Sequence, residues 1–210
     1  LSIVNSSQSL AEVNTIIQTL SPQDPHLPTW HGLRLFTISR LEDWSLLERM
    51  YQEHKDKASK TTEGLVWSKT ALSYKQTISD LNLTEASRLA EETLELARRE
   101  KLHPRIVMDV LMALITIAAE KGNNRKVLKY INSVIQISAT HGLHLESPVT
   151  FMLLIDMTMY LGEFSRAQQI AGDLPRYEDK DLFDINRLQL NYIKIHGLIA
   201  EGKLLQADQM

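Results

Sequence analysis

Cysteine is missing from this chain altogether, which excludes a disulfide framework, thiolate chemistry and any cysteine-ligated zinc, and which fits a reducing compartment. Cytoplasmic residence, or nuclear residence in a eukaryote, is the corresponding expectation. A charge excess is missing too: 23 Lys and Arg stand against 26 Asp and Glu, for a net charge of -3. No overall basic field therefore exists to gather nucleic acid or anionic lipid. Arg125, Lys126 and Lys129 form only a small local patch that reads as a solvated face. The most apolar stretch, Ile106 to Ala119, is interrupted by Asp109 and falls short of the roughly 20 residues that a bilayer span needs. It reads as a buried helix. Strand signals, a phosphate-cradling glycine loop, a Gly-x-Ser-x-Gly elbow and a His-Glu-x-x-His helix are all absent, so neither a catalytic residue nor a cofactor is assigned and no enzyme is expected. The nearest approach to a metal site, His141-Gly142-Leu143-His144-Leu145-Glu146, reads as a helix end with a glycine cap, where histidine also suits the helix dipole.

What is present is a 43% hydrophobic content, enough for a substantial core, and an internal repeat. Gly122, Gly162 and Gly202 each precede, by five residues, a small or β-branched apolar residue: Val127, Ala167 and Ala207. Stepping back by the same interval of 40 reaches Asn82, with Ser87, and Glu42, with Leu47. Gly and Asn tolerate the positive φ of a left-handed helix cap, so four of the five positions have a mechanical reason to be what they are. Glu42 does not, and its turn is expected to be built differently. Placing Tyr74 and Ala86 in the core, rather than Lys75 and Ser87, would shift the second repeat by one residue.

Between these turns the pattern is helical. From Thr84 to Glu100, Ala86, Leu89, Ala90, Leu94 and Ala97 share one face, and Glu85, Arg88, Glu91, Glu92, Glu95, Arg98 and Arg99 the other. That charged face reads as solvated, with Glu95 and Arg99 in the favourable order for an ion pair. Pro28, Pro104 and Pro148 stand where first helices of pairs begin. The expected helices run near 8–20, 29–40, 43–58, 62–81, 84–100, 104–121, 124–141, 148–161, 164–174, 182–200 and 203 onward. The proline-bearing segment from Ser21 to Pro28 divides an N-terminal helix and connection, 1–27, from a repeat array, 28–210. The chain starts at Leu1, and Met210 falls just after a helix begins, so it reads as an excised fragment with a truncated final pair.

The turn residues Gly162-Glu163-Phe164 with Ala167, Gly202-Lys203-Leu204 with Ala207, Gly122-Asn123-Asn124 with Val127 and, more weakly, Glu42-Asp43-Trp44 with Leu47 resemble those of the tetratricopeptide repeat superfamily. The chain departs from that family in its period, about 40 rather than the usual 34, and in lacking the proline that normally ends the second helix. Longer pairs of this kind are similar to the sensor solenoids of MalT-type transcriptional regulators and to eukaryotic scaffold subunits such as the cohesin-loader partner; HEAT-type repeats share the length. The resemblance implies an all-α fold, a right-handed superhelical solenoid of antiparallel helix pairs, and a concave groove lined by first helices that holds another protein or a peptide segment. A small-molecule effector is the second candidate. Direct nucleic-acid binding and membrane association are not implied.

Counted back from the turns, the implied groove columns are Phe36, Gln76 (or Lys75 in the shifted register), Thr116, Asp156 and His196, and Gly32, Leu72, Met112, Met152 and Tyr192. Met159 and Tyr160 join them from the same helix as Asp156. Asp156 lies in an apolar helix, where an unpaired carboxylate is expensive, and His196 one repeat on is its expected donor or the other edge of a ligand site. Loss of partner capture in Asp156→Ala and Tyr192→Ala is the expected result for such a groove.

Overall fold

The computed structural model describes residues 6–142 and, beyond them, 154, 155, 157–159, 161–163, 167 and 198. The described part is all-α: α1 (Ser6–Thr19), α2 (Leu27–Arg40), α3 (Trp44–Ala58), α4 (Thr62–Ile78), α5 (Leu83–Arg99), α6 (Pro104–Glu120) and α7 (Asn124–His141), with no strand among the described residues. Every start and end of these seven helices falls within three residues of its sequence expectation. By internal contacts the chain divides into two units, Leu1–Leu143 and His144–Met210. No described helix is long and apolar enough to cross a membrane.

Within the first unit α1 packs on α2, and each later helix packs on its chain neighbours. Beyond these neighbour contacts, α2 packs on α4 and α4 on α6. The pairs are therefore α2 with α3, α4 with α5 and α6 with α7, and their first helices touch in succession.

Each pair turns on one device. A residue with left-handed backbone ends the first helix: Glu42 at φ 57, Leu81 at φ 51, Gly122 at φ 66, and Gly162 at φ 77 in the second unit. In three of the turns the next residue caps the following helix, Asp43, Asn82 and Asn123 accepting from the backbone N–H of Leu46, Glu85 and Lys126 at 3.0, 3.2 and 3.1 Å. At Gly122 and Gly162 two reverse hydrogen bonds close the helix end, Gly122 N–H to Ala119 O and Asn123 N–H to Ala118 O, and Gly162 N–H to Met159 O and Glu163 N–H to Thr158 O. One sequence expectation is corrected here. Leu81 rather than Asn82 carries the positive φ, because Asn82 is used as the cap. Glu42 adopts the left-handed φ of the glycines, although of their two closing bonds its turn makes only the one from Glu42 N–H to Ser39 O. The landmarks 42, 81, 122 and 162 are spaced by 39, 41 and 40 residues, which is the one-residue shift that Tyr74 and Ala86 required.

Equivalent places are filled equivalently. Five residues after each landmark stand Leu47, Ala86, Val127 and Ala167; seven before stand Leu35, Tyr74, Ile115 and Ile155; four before stand Ile38, Thr77, Ala118 and Thr158, all of them buried. The hydroxyls of Thr70, Ser73, Thr77 and Thr158 donate to carbonyls of their own helices, so these polar core residues bury no unsatisfied donor. Leu81 is the most exposed large apolar side chain described, 74% accessible, and a left-handed conformation opposes its side chain by about 1–2 kcal/mol. Leu81→Gly is expected to stabilise the fold by about 0.5–1 kcal/mol after the extra freedom of glycine in the unfolded chain is subtracted. Urea unfolding with an unchanged m-value checks it; a loss of stability would mean that the Leu81 side chain is held by the fold.

The α2–α4 contact is the tightest described. A Cβ on Gly32 would lie 2.3 Å from Gly64 O and 2.6 Å from Gly64 Cα, and one on Gly64 would lie 2.6 Å from Pro28 O of α2 and 2.3 Å from Ala58 O at the end of α3. Beside this crossing Thr29 and Thr61 share a hydrogen bond at 3.0 Å. Between α2 and α3, His31 and His54 stack with ring centroids 4.6 Å apart and planes 10° from parallel. Burial pushes each imidazole down to about 4, assisted by the neighbouring Arg34 and Lys57 and, for His31, by His54.

On α5, Arg88 pairs with Glu85 and Glu92, and Arg99 turns to Glu100 at 3.0 Å rather than to Glu95. The face is exposed as expected, and it also carries pairs to neighbouring helices: Glu92 approaches Lys69 of α4 at 3.8 Å, and Glu91 accepts from Lys126 of α7 at 2.7 Å. Lys126 stays exposed, as expected of its patch, while making this surface pair. Gly142 ends α7 in the left-handed conformation read from the sequence, φ 58.

Candidate functional site on the first helices

The residues that the sequence placed along a groove have distinct fates. Phe36, half-buried on α2, lies 4.6 Å from the Trp67 ring and 6.3 Å from that of Tyr74, both on α4. It is engaged in aromatic packing between first helices. Gln76 donates to Asp80 at 2.7 Å, and Lys75, which takes its column in the corrected register, reaches the same carboxylate at 3.0 Å. Both are half-buried. Met112 is 8% exposed and takes its place in the core. Thr116 is half-buried, its hydroxyl donating to Met112 O at 3.2 Å. Leu72 is half-buried on α4. Gly32 is a helix-crossing residue, not a groove floor, because its missing side chain is what lets Gly64 approach. Met159 is half-buried just before the Gly162 turn. Met152, Asp156, Tyr160, Tyr192 and His196 lie outside the described residues, as do His144 and Glu146 of the motif around Gly142.

A second set of side chains runs across the same three helices. The Arg40 guanidinium, at the end of α2, sits 5.2 Å above the ring centroid of Tyr74 on α4, within cation–π range. Tyr74 is 3% exposed, and burial pushes its phenol up while Arg40 opposes the shift. Asp109 on α6 holds Arg105 at 3.6 Å, one helical turn away. Burial drives its carboxyl up to about 6, Arg105 and then Arg40 pulling the other way. Arg40, Tyr74, Asp109 and Arg105 therefore form one electrostatic line over α2, α4 and α6.

Asp109 had a legible signal, since it is the only charge between Ile106 and Ala119; the argument applied to Asp156 fits it equally. Arg40 had none, because its partner ring belongs to another pair. The raised carboxyl carries a stability consequence. The folded chain holds the Asp109 proton more tightly than the unfolded chain, so this contribution is fully present below about pH 4 and is lost as pH rises through about 6. Asp109→Asn is expected to raise stability at pH 7.5 by roughly 1–2 kcal/mol and to leave it nearly unchanged at pH 4, as denaturant midpoints at the two pH values will report. An equal effect at both would show that the carboxylate is not strained by burial.

Among the described residues no three side chains are grouped to hold a metal ion. Compared with known proteins, the chain matches no family model, no curated protein and no solved structure.

Proposed function

We propose that the chain is a right-handed, tetratricopeptide-like solenoid that works as a protein-binding scaffold, holding a segment of another protein against the face of its first helices. The observation that carries this reading is the meeting of side chains from three successive first helices, Arg40 over Tyr74 and Asp109 under the field of Arg40 and Arg105. Structural repeats that bury their cores against neighbours leave such composite faces open, and binding on them needs no catalytic group. Phe36 adds half-buried aromatic surface, while Lys75 and Thr116 offer polar contacts at half-buried positions. The repeat period of about 40 residues and the equivalent burial around each landmark support the solenoid itself.

Photoreactive residues placed singly at Lys75 and Thr116 test the reading against controls at Arg88 and Arg99 on the outer face of α5. The expected result is one common adduct, from cell extract, at both first-helix positions and not at the controls. Equal labelling from the α5 face, or none from the first helices, would end the proposal.

A further inference from the structure

A cleft of about 80 Å³ opens where α5 meets α6 and α7, away from the first-helix line, lined among others by Ser87, Glu91, Lys121, Lys126 and Tyr130. It has room for more than one water, since a site for one needs about 10–15 Å³ on the same measure. Its chemistry is lopsided. Lys121 Nζ donates to Ser87 Oγ at 2.9 Å and pairs with no carboxylate among the described residues. Accepting that bond leaves the Ser87 hydroxyl proton available to donate elsewhere. Lys126 is held by Glu91 at 2.7 Å, which keeps its ammonium charged. Among the described lining residues Glu91 is the one carboxylate against two ammonium groups, and it is bonded to Lys126 alone of the two. The floor of Leu114, Ile117 and Ala118 is apolar and buried, which strengthens interactions among the charges above it.

We infer that this cleft is a seat for a tetrahedral oxyanion, a phosphate group, gripped by Lys121 and the Ser87 hydroxyl with Lys126 at the rim. Donors outnumber acceptors, the net charge of the lining is positive, and the groups come from the second and third pairs. An occupant would therefore bridge two repeats. Such a seat gives the array a small effector, independently of any protein held on its first helices.

The probe is inorganic phosphate added to the full chain, with chloride at matched ionic strength as reference, followed by amide chemical shifts and by melting temperature. Phosphate is expected to move the amides around Ser87, Lys121 and Lys126 in a saturable way and to raise the melting temperature of the parent chain more than that of Lys121→Gln. Lys121→Gln is expected to weaken binding about tenfold, the scale of one lost charge-assisted hydrogen bond. Glu91→Gln, which removes the competing carboxylate, is expected to tighten it several-fold, and this variant keeps the test valid if Lys121→Gln folds poorly. Arg99→Gln on the outer face of α5 is expected to change nothing. Shifts that do not saturate, a Glu91→Gln variant that binds no tighter, or an Arg99→Gln loss as large as that of Lys121→Gln would each overturn the assignment.

Discussion

Gly32→Ala and Gly64→Ala are each expected to cost roughly 3 kcal/mol or more, the upper end of the range for overpacked sites. At Gly32 the added carbon meets Gly64 O at 2.3 Å and Gly64 Cα at 2.6 Å; at Gly64 it meets Ala58 O at 2.3 Å, Pro28 O at 2.6 Å and Thr61 Oγ1 at 2.9 Å. Nearly all of these are backbone atoms, so no rotamer change relieves the clash. The helices must move apart, and the Phe36–Trp67 packing and the Thr29–Thr61 hydrogen bond move with them. Gly122→Ala is the proper comparison. Nothing lies within 4 Å of its would-be Cβ, and only its φ of +66 opposes the change, at about 1 kcal/mol. Denaturant unfolding ranks the three directly. A Gly32→Ala variant that loses less than Gly122→Ala would mean that α2 and α4 do not touch backbone to backbone.

The second large effect is acid sensitivity held in the His31–His54 stack. Both imidazoles fall from the ordinary 6.5 to about 4 in the fold, so between those values the unfolded chain takes up protons that the folded chain refuses. Their contribution is complete above about pH 6.5 and is lost progressively as pH falls toward 4. Each ring adds a slope of up to about 1.4 kcal/mol per pH unit, amounting to roughly 3 kcal/mol or more for the pair. The groups around the stack sharpen this: Arg34 lies 3.5 Å from His31, Lys57 adds a second positive charge, and Glu53, at 3.6 Å from His54, opposes them. Asp109 works in the opposite sense over nearly the same range, so the wild-type curve alone understates the histidines. The double variant His31→Phe with His54→Phe keeps two stacked rings and removes the titration. Its stability is expected to change far less between pH 7 and pH 4 than that of the parent chain, as measured by urea midpoints across pH. Parallel curves for the two proteins would show that the imidazoles titrate alike in the folded and unfolded chains.

The helices were legible because amphipathic spacing and capping residues speak locally. Asp43, Asn123 and Gly142 do in the structure what such residues do in any helix end, and α7 runs over the residues expected of it. The left-handed φ of Glu42 and Leu81 was not legible, since it is imposed by the need to close a pair rather than favoured by those side chains. Counting by a strict 40 chose Asn82, whose amide suits either role, and only the burial of Tyr74 and Ala86 separates cap from turn. The site was less legible for a related reason. A column of residues at fixed spacing shares a face of its helix, but what stands opposite is decided by other pairs. Phe36 meets Trp67, Gly32 meets Gly64 and Met112 is enclosed, and no local pattern announces any of these partners. Asp109 shows the reverse case, where a lone charge in an apolar helix and its neighbour Arg105 one turn back were visible and the distant Arg40 was not.

The unequal steps of 39, 41 and 40 between landmarks bear on how this chain can lengthen and shorten. Because each pair sets its own phase through a left-handed residue and an adjacent cap, a residue gained or lost in the segments 59–61 or 100–103 leaves every side chain of the next pair on its proper side. The same insertion inside α4 or α6 would rotate half a helix by about 100° and turn its oily stripe to water. Tolerance to indels should therefore alternate along the chain, generous between modules and absent within them.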